Sequence, residues 1–449
     1  MKKVIDAIKK YPFILILVLI LVVFTPYSLF SPGQSRKRAV VIAIGLDKIE
    51  NEYEISFLTF IPSPNQEFQQ SNSVVSGKGS SVSEAVLDAQ LTLGKDIGLS
   101  HAKTTVVNER MLEEDISSSL DYLMRVVSLP ENTVFVCTNT TAKELLMATD
   151  SLEQNLGLKL DQLVSYNANE VYITDTSLEA FYKGYYSPTK SSLIGYIEHV
   201  KEDSSQSEQG GGQNQSGSQS SGGSQETSQS TSSQGGQQGG AGSSEQNSSA
   251  GSSGQSENEK QRGSLQGQSQ ILNKGDAVLL RDGQKVALLD VDNLNSINLL
   301  STKRSLDSIT ISDVQTEDEK NVDMTFLVKN KVVSIKTDFQ NNIPLFVANI
   351  NLGVQLSEID TKAQKVKQNV QNTQITEEIA KKLEQKIKSE FSQMLQIIRE
   401  NKADVIGVYD SFFTHNRKEF LKFLSSLDDR ENFLNHVVFM LNLKIQQDG

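Results

Sequence analysis

A long uncharged stretch near the N-terminus constrains this chain more than any other feature of its sequence. Residues 11–30 carry no charged side chain, and 13–24 are aliphatic apart from a phenylalanine at each end. About 20 residues of α-helix, at a rise of ~1.5 Å each, span the ~30 Å of hydrocarbon in a bilayer. The sequence therefore predicts a transmembrane anchor at 11–30, with the anchor residues Tyr11, Pro12, Phe13, Ile14, Leu15, Ile16, Leu17, Val18, Leu19, Ile20, Leu21, Val22, Val23 and Phe24.

Two interpretations of this stretch compete, an uncleaved anchor and a cleaved signal peptide. A signal peptide has a shorter apolar region and small residues at its cleavage site. Here the apolar run is long and its exit contains Tyr27 and Phe30, which favours an uncleaved anchor. Lysines precede the helix, but Lys and Arg also follow it at 36–38. The numbers of positive charges on the two sides are therefore similar, and they favour a cytoplasmic tail at 1–10 only weakly. The prediction is a single-pass membrane protein with an extracytoplasmic body.

The charge of the body excludes a nucleic-acid role. The whole chain carries a net charge of −12, and beyond residue 38 there are 36 Lys or Arg against 54 Asp or Glu, a net charge of −18. A body with this charge repels phosphate backbones and anionic lipid headgroups. We therefore expect no nucleic-acid partner, and we expect contact with the lipid bilayer through the anchor.

The residue types that carry chemistry form no motif that indicates catalysis. The one cysteine, Cys137, lies in an apolar run, which excludes a disulfide framework and predicts a buried strand thiol. The four histidines are far apart, and no phosphate loop, zinc-protease motif or nucleophile elbow occurs. Asp290 and Asp292 begin like a calcium loop, but Asn295 stands where that loop needs glycine. We therefore predict a non-enzyme with no catalytic, cofactor-binding or metal site.

Strand and helix patterns predict an N-terminal α/β domain at 31–168. Its first two strands form a hairpin across a polar turn at 45–52. Capping boxes, in which a Ser or Thr and a Glu satisfy the first amides of a helix, begin at Ser81 and Thr141. The predicted strands are 39–44, 53–60, 104–107 and 133–138, and the predicted helices begin at about 81, 116, 141 and 152.

A middle domain is predicted at 169–305, with a disordered insert at 203–270. Most of the insert consists of Ser, Gly, Gln, Asn and Glu, which bury too little apolar surface to offset the entropy of ordering. Before the insert, 176–179 has the pattern of a helix cap. After it, Asp282 and Gly283 stand between two apolar runs, which predicts a hairpin with a type I′ turn.

The last segment, 306–449, predicts a C-terminal α+β domain. Alternating apolar residues predict three antiparallel strands with one turn at 329–331. Apolar residues at helical spacing then predict a helix of about 25 residues that includes Leu383. A shorter helix around Phe420 and a closing strand at 437–445 complete the segment.

Five segments, taken in order along the chain, carry a resemblance to one family. They are Ile44-Gly45-Leu46-Asp47, the glycine-containing entry to a helix at 77–85, the turn at 100–103, the hairpin at 276–284, and the loop 404–407 with the closing strand. Their order and spacing carry the argument. The chain resembles the C subunit of the bacterial spore germination receptors, the Ger(x)C family.

The resemblance implies a fold, a location and partners. The fold is α+β, with the transmembrane helix followed by three mixed α/β domains built on largely antiparallel or mixed sheets. The location is the outer face of the spore inner membrane. The partners are a membrane-embedded A subunit and a transporter-like B subunit, which together respond to small nutrient germinants. The resemblance does not decide whether this chain itself binds a germinant.

The chain departs from the family pattern in two places. Family members typically carry a lipidated cysteine after a signal peptide, whereas no cysteine lies near residue 30 here. A spanning helix holds a protein in the bilayer more firmly than one acyl chain does, so we expect tethering to be preserved. The polar insert is the second departure. It could alter a partner-binding surface near the insert, but it does not change the expected fold.

The predicted function is that of a non-catalytic, membrane-anchored subunit of a nutrient germinant receptor. Two rival functions stay open. One is a membrane-anchored envelope hydrolase, which would need acidic or metal-binding side chains brought together from distant parts of the chain. The other is a solute- or glycan-binding protein, which a large apolar pocket would favour.

Overall fold

The structure is a computed structural model that describes eight stretches of the chain. They are 38–61, 71–148, 176–200, 270–272, 274–301, 308–314, 322–361 and 375–448. The predicted anchor at 11–30, the predicted helix from about 152 and nearly all of the predicted insert lie outside these stretches.

Ten strands form the larger of two sheets, which we call the large sheet. They are β1 (Arg38–Ile49), β2 (Glu52–Ile61), β3 (Ser71–Gly79), β4 (Asp96–Gly98), β5 (Thr104–Asn108), β6 (Val134–Thr138), β7 (Ser191–Val200), β8 (Gln270–Leu272), β9 (Ala277–Arg281) and β10 (Gln284–Leu289). Their order is β10-β9-β7-β6-β5-β1-β2-β3, with β4 beside β1 and β8 beside β7. The centre, from β7 to β1, is parallel, whereas the arms on both sides are antiparallel.

Four strands form the small sheet. They are β11 (Ser308–Val314), β12 (Val322–Gln340), β13 (Ile343–Thr361) and β14 (Val438–Gln447), in that order across the sheet. The first three pair antiparallel, and β14 lies parallel to β13. A parallel neighbour needs a crossover connection, and helices of the C-terminal segment supply it.

Eight α-helices accompany the sheets in the described stretches. They are α1 (Val82–Leu93), α2 (Ser117–Arg125), α3 (Ala142–Met147), α4 (Leu178–Tyr185), α5 (Val291–Leu300), α6 (Glu377–Glu400), α7 (Val408–His415) and α8 (Arg417–Ser426). Helix α6 shows why amphipathic spacing decides the packing. Seven apolar residues along it are buried, because they recur on the one face that lies against the core.

Side chains of the large sheet alternate between two cores. On one face, Phe57, Phe135 and Leu280 are buried together with residues of α1, α2 and α4. On the other face, Leu58 and Val136 are buried with residues of α3. The alternation follows from the period of two in a β-strand, and central strands such as β5 are buried on both sides.

The second face of the large sheet also contributes to the core of the small sheet. Leu193 of β7 and Leu279 of β9 are register partners. They belong to one buried cluster with Leu294 of α5, Phe346 of β13 and Leu383 of α6. Leu279 has no exposed surface. The two sheets therefore share one hydrophobic core, in addition to the two cores that the large sheet forms with its own helices.

Several predicted features are confirmed at the level of single atoms. The Oγ atom of Ser81 accepts a hydrogen bond from the backbone N–H of Glu84, which begins α1 as the capping box predicts. Thr141 begins α3 in the same way. At the β9–β10 hairpin, Asp282 and Gly283 adopt φ angles of 51° and 77°, which the type I′ turn requires.

The predicted hairpin turn at 45–52 is confirmed but is shorter than predicted, and the predicted turn at 329–331 is wrong. The segment 45–52 is mostly strand, because β1 continues to Ile49 and pairs with β2 up to the turn. The segment 329–331 is a β-bulge within the single strand β12. The turn lies instead at Asn341 and Asn342, with φ angles of 52° and 68°. Asparagine tolerates this left-handed conformation, whereas the polar residues at 329–331 occupy partly exposed strand positions.

The large sheet draws strands from both sides of the predicted boundary at residue 168. Strands β1 to β6 precede it, and β7, β9 and β10 follow it in the same sheet. The overall class is mixed α/β with one mixed sheet and one smaller sheet. The division into three domains stays a prediction.

Candidate functional site: a cleft at the junction of the two sheets

A cleft lies where the large sheet meets α5 and the N-terminal end of α7. Its volume is about 540 Å³. Three parts of the chain line it: α4 with the turn that leads into β7, the C-terminal end of α5, and the loop 404–407 with the start of α7. We call this site the junction cleft.

Asp404 holds the loop that forms one wall of the junction cleft. Its carboxylate is buried and accepts hydrogen bonds from the backbone N–H groups of Val408 (3.0 Å) and Tyr409 (2.7 Å) in the first turn of α7. Burial raises the pKa of this carboxyl, and the backbone donors act in the opposite direction. Gly407 adopts a φ of 75°, which glycine reaches without steric cost. Asp404 therefore satisfies backbone N–H groups in the first turn of α7, whose N-cap residue is Gly407.

The lining of the junction cleft mixes polar and apolar side chains. Helix α4 contributes Glu179 and Lys183, α7 contributes Asp410, and the turn before β7 contributes serine and threonine hydroxyls, while Ile297 and Leu300 of α5 are apolar. The polar groups can form hydrogen bonds with a ligand or with a segment of another protein, and the apolar ones can pack against it. Within the stretches that the structure describes, no group of three or more His, Cys, Asp or Glu side chains is placed to hold a metal ion.

Polar contacts connect the two sides of the junction. Arg281 at the end of β9 forms an ion pair with Glu431, which lies in a 3₁₀ turn before β14. Lys331 of β12 donates from Nζ to the backbone oxygen of Asn298 in α5, at 2.5 Å. The Arg281 side chain is only 15% exposed, so loss of its partner would leave a largely buried charge. These contacts add to the shared core in holding the sheets together.

A second buried carboxylate, Asp47, ends the segment that begins at Ile44. Its oxygens accept hydrogen bonds from the backbone N–H groups of Ala142 (2.6 Å) and Lys143 (3.0 Å), at the start of α3. A Cβ atom on Gly45 would lie 3.0 Å from the Cβ atom of Ala142, so glycine permits the close approach of this helix. The segment Ile44–Asp47 therefore positions α3 on β1.

Asp47 lies in a buried cluster of charges. Glu54 is its register partner on β2 and is also buried. Lys143 donates to Glu54 from Nζ at 2.5 Å. Burial raises the pKa of Asp47 to about 6, and the Glu54 charge acts in the same direction, whereas the backbone donors at Lys143 and Ala142 oppose the shift.

Asp47 is expected to make the stability of the protein depend on pH between about 4 and 6. Its pKa in the folded protein, about 6, exceeds the ordinary value of 3.8. The folded state therefore binds this proton more tightly, so the added stability is fully present below the ordinary pKa and is lost as the pH rises through about 6. A difference of this size corresponds to roughly 3 kcal/mol. Urea denaturation at a series of pH values should show that Asp47→Asn removes this slope.

Asp121→Asn is the matched control for this measurement. Asp121 lies on α2, its side chain is 57% exposed, and it pairs with Arg125 one helical turn away. This variant should keep the wild-type slope. The assignment to Asp47 would be wrong if Asp47→Asn kept that slope too.

The structure accounts for several residues singled out in the sequence. Cys137 on β6 is fully buried, and burial raises the pKa of its thiol, so the predicted buried strand thiol is confirmed. Asp290 accepts a hydrogen bond from the backbone N–H of Asn293 and begins α5, so the calcium-like pattern is the start of a helix. His199 is buried in β7, whereas the other three histidines are exposed.

The predicted anchor residues 11–24 lie outside the described stretches. Among the helices within those stretches, none combines the length and apolar character that a membrane span needs. The junction cleft was not predicted, because its walls come from three distant parts of the chain. The Asp404–Gly407 segment was singled out only through the family resemblance.

Comparisons with known proteins agree with the resemblance found in the sequence. Residues 34–199 match a family model described as "Spore germination protein N-terminal domain", and residues 274–442 match one described as "Spore germination B3/ GerAC like, C-terminal". No curated protein matches. The chain is also similar to a crystal structure of the GerBC protein, with 12% identity, a TM-score of 0.44, and coverage of 91% of this chain and 98% of that one. The two family matches lie in order and cover most of the sequence, and this chain therefore belongs to the GerAC-like, or Ger(x)C, family of spore germination proteins.

Proposed function

We propose that this protein is the membrane-anchored, non-catalytic C-type subunit of a nutrient germinant receptor. The observation that carries the proposal is the ordered match of both GerAC-like domains, which gives the chain its role in spore germination. In this proposal an A-type membrane subunit and a B-type transporter-like subunit are its partners. The uncharged stretch 11–30 supports an anchor in the spore inner membrane, with the body outside the cytoplasm.

The shared core supports a mechanical role within such a receptor. Leu279 of the large sheet and Phe346 of the small sheet belong to one buried cluster. A force or displacement applied to one sheet therefore reaches the other through close-packed side chains. The body would act as a rigid part that positions its membrane partners, and its junction cleft is a surface on which a partner segment can dock.

Deletion of the gene tests the proposed role. Spores of the deletion strain should fail to germinate with nutrients, while release triggered by dipicolinate or pressure continues. A copy of the full chain supplied elsewhere in the genome should restore the response. Normal nutrient germination in a deletion strain that lacks a paralogue would contradict the proposal, and failure of the A-type and B-type subunits to co-purify with the full chain would contradict the assembly.

Charges placed in the predicted anchor should release the protein from the membrane. The double variant Leu17→Asp/Leu21→Asp introduces two carboxylates near the middle of the stretch. Each costs about 3 kcal/mol on insertion, so the two together exceed what the eight remaining aliphatic residues of 13–24 contribute at roughly 0.5 kcal/mol each. We expect most of the protein to leave the carbonate-washed membrane fraction, as measured by immunoblotting.

A control with the same spacing is available on α1. Leu87 and Leu91 lie one helical turn apart and are 57% and 75% exposed. Leu87→Asp/Leu91→Asp should leave the protein in the membrane fraction. The anchor would be refuted if the variant with charges at 17 and 21 stayed in the washed membranes to the same extent as this control.

A further inference from the structure

A second cavity lies beside the junction cleft and shares Thr189 and Tyr409 with its lining. Its volume is about 270 Å³, slightly below the ~300–1,000 Å³ of pockets that hold drug-sized ligands. We infer that this cavity binds a small monocarboxylate that carries a branched aliphatic or aromatic group. We call it the carboxylate cavity.

Cations outnumber anions in the lining of the carboxylate cavity. Lys190, Arg281, Lys402 and Arg430 line it, together with Glu431 as the one acid. This excess is unusual in a body whose net charge is strongly negative. An arginine-rich lining suits a carboxylate, because the planar guanidinium presents paired donors to its two oxygens.

Two of these cations have side-chain N–H donors without a hydrogen-bond partner among the residues that the structure describes. Arg281 pairs with Glu431 through one terminal nitrogen, but its Nε atom is buried and has no hydrogen-bond partner. A buried donor without a partner carries a desolvation cost that a ligand oxygen would remove. Arg430 is exposed and forms no ion pair or hydrogen bond with the residues that the structure describes. The two lysines, in contrast, are already paired, Lys190 with Asp282 at 2.6 Å and Lys402 with Asp429 at 2.5 Å.

The remaining lining is apolar. Leu421 and Leu424 of α8, Phe433, Pro188 and the ring of Tyr409 contribute to it. An inorganic anion would leave this surface without a partner, whereas a hydrocarbon group would bury it and gain hydrophobic free energy. The combination of cations and apolar walls therefore favours an amphiphilic carboxylate over phosphate or chloride.

The backbone at both lysines is left-handed. Lys190 and Lys402 adopt φ angles of 50° and 52°, a conformation that lysine rarely takes and glycine takes freely. At Lys402 this conformation ends α6, where the backbone N–H of Ala403 donates to the oxygen of Ile398 at 2.8 Å. Glycine at either position would relieve the strain and remove the charge, so these substitutions separate ligand binding from stability.

Calorimetric titration of the purified full chain in a non-ionic detergent tests the inference. The probes are isovalerate, its neutral isostere isovaleramide, and acetate. We expect saturable binding of isovalerate, weaker binding of acetate and none of isovaleramide. Arg430→Gln should weaken isovalerate binding about tenfold, the loss expected for one charge-assisted contact. Lys402→Gly should weaken it less, because Lys402 is already paired with Asp429. The thermal unfolding midpoint of Lys402→Gly should equal or exceed that of the wild type.

Two control variants make the same chemical changes elsewhere. Arg125→Gln removes an exposed guanidinium from α2, and Asn341→Gly relieves a positive φ angle in the β12–β13 turn. Both should bind isovalerate like the wild type. The inference is overturned if isovalerate does not bind, if acetate or isovaleramide binds as tightly, or if folded Arg430→Gln keeps wild-type affinity. None of these results bears on the germination phenotype, so the inference stands or fails independently of the proposed function.

Discussion

Gly77→Ala is expected to lower the free energy of unfolding by about 3 kcal/mol or more. Gly77 lies in β3, beneath α1. A Cβ atom at this position would lie 2.2 Å from the backbone oxygen of Ala85 and 2.3 Å from the backbone nitrogen of Ala89. Both contacts are with backbone atoms, which no change of rotamer can relieve. The strand and the helix would therefore have to separate, and the core between them would loosen.

Chemical denaturation of the full chain in detergent measures this effect, and Gly94→Ala is its control. Gly94 ends α1 with a φ of 66°, and an added Cβ atom would meet nothing within 4 Å. Alanine there should cost only about 1 kcal/mol, from the backbone conformation alone. Equal losses in the two variants would mean that β3 and α1 do not approach as closely as described.

Leu279→Ala should also cost about 3 kcal/mol, and it should destabilise both sheets at once. Leu279 belongs to β9 of the large sheet, but its fully buried side chain lies in the cluster that includes Phe346 of the small sheet. Because the sheets share this core, we expect the wild type to unfold in one transition. The variant should shift that whole transition, as followed by circular dichroism and by tyrosine fluorescence.

Leu288→Ala provides the comparison on the same hairpin. Leu288 lies on β10 and is 43% exposed, so its loss should cost about 0.5 kcal/mol, as for most surface substitutions. Two well-separated transitions in the wild type, of which Leu279→Ala moved only one, would contradict a shared core.

Local chemistry explains which elements could be predicted from the sequence. Ser81 and Thr141 cap helices through contacts only a few residues long, and Asp282 with Gly283 has the local sequence that a type I′ turn requires. Helix α6 is equally local, because its apolar face repeats over many turns. In each case the pattern and the structure that it determines lie within one segment.

Elements that depend on distant partners were missed or misplaced. Strand β3 has a polar sequence, Ser71–Gly79, and exists because β2 offers it hydrogen bonds. The bulge at 329–331 looks like a turn until the length of β13 is known, since nineteen residues of β13 support an equally long β12. The junction cleft and the carboxylate cavity are assembled from three or more segments, so no local pattern indicates either of them.

The pairing of β7 with β8 has a consequence for how this protein tolerates change. Val200 and Gln270 are register partners in that pair, so the two ends of the intervening polar segment leave and re-enter the fold side by side. A loop with adjacent ends costs only about 0.6 kcal/mol for each doubling of its length. The segment can therefore lengthen, shorten or accept an inserted tag with little effect on folding. This makes it a suitable insertion site for protein engineering and a place where evolution can change the length of the chain.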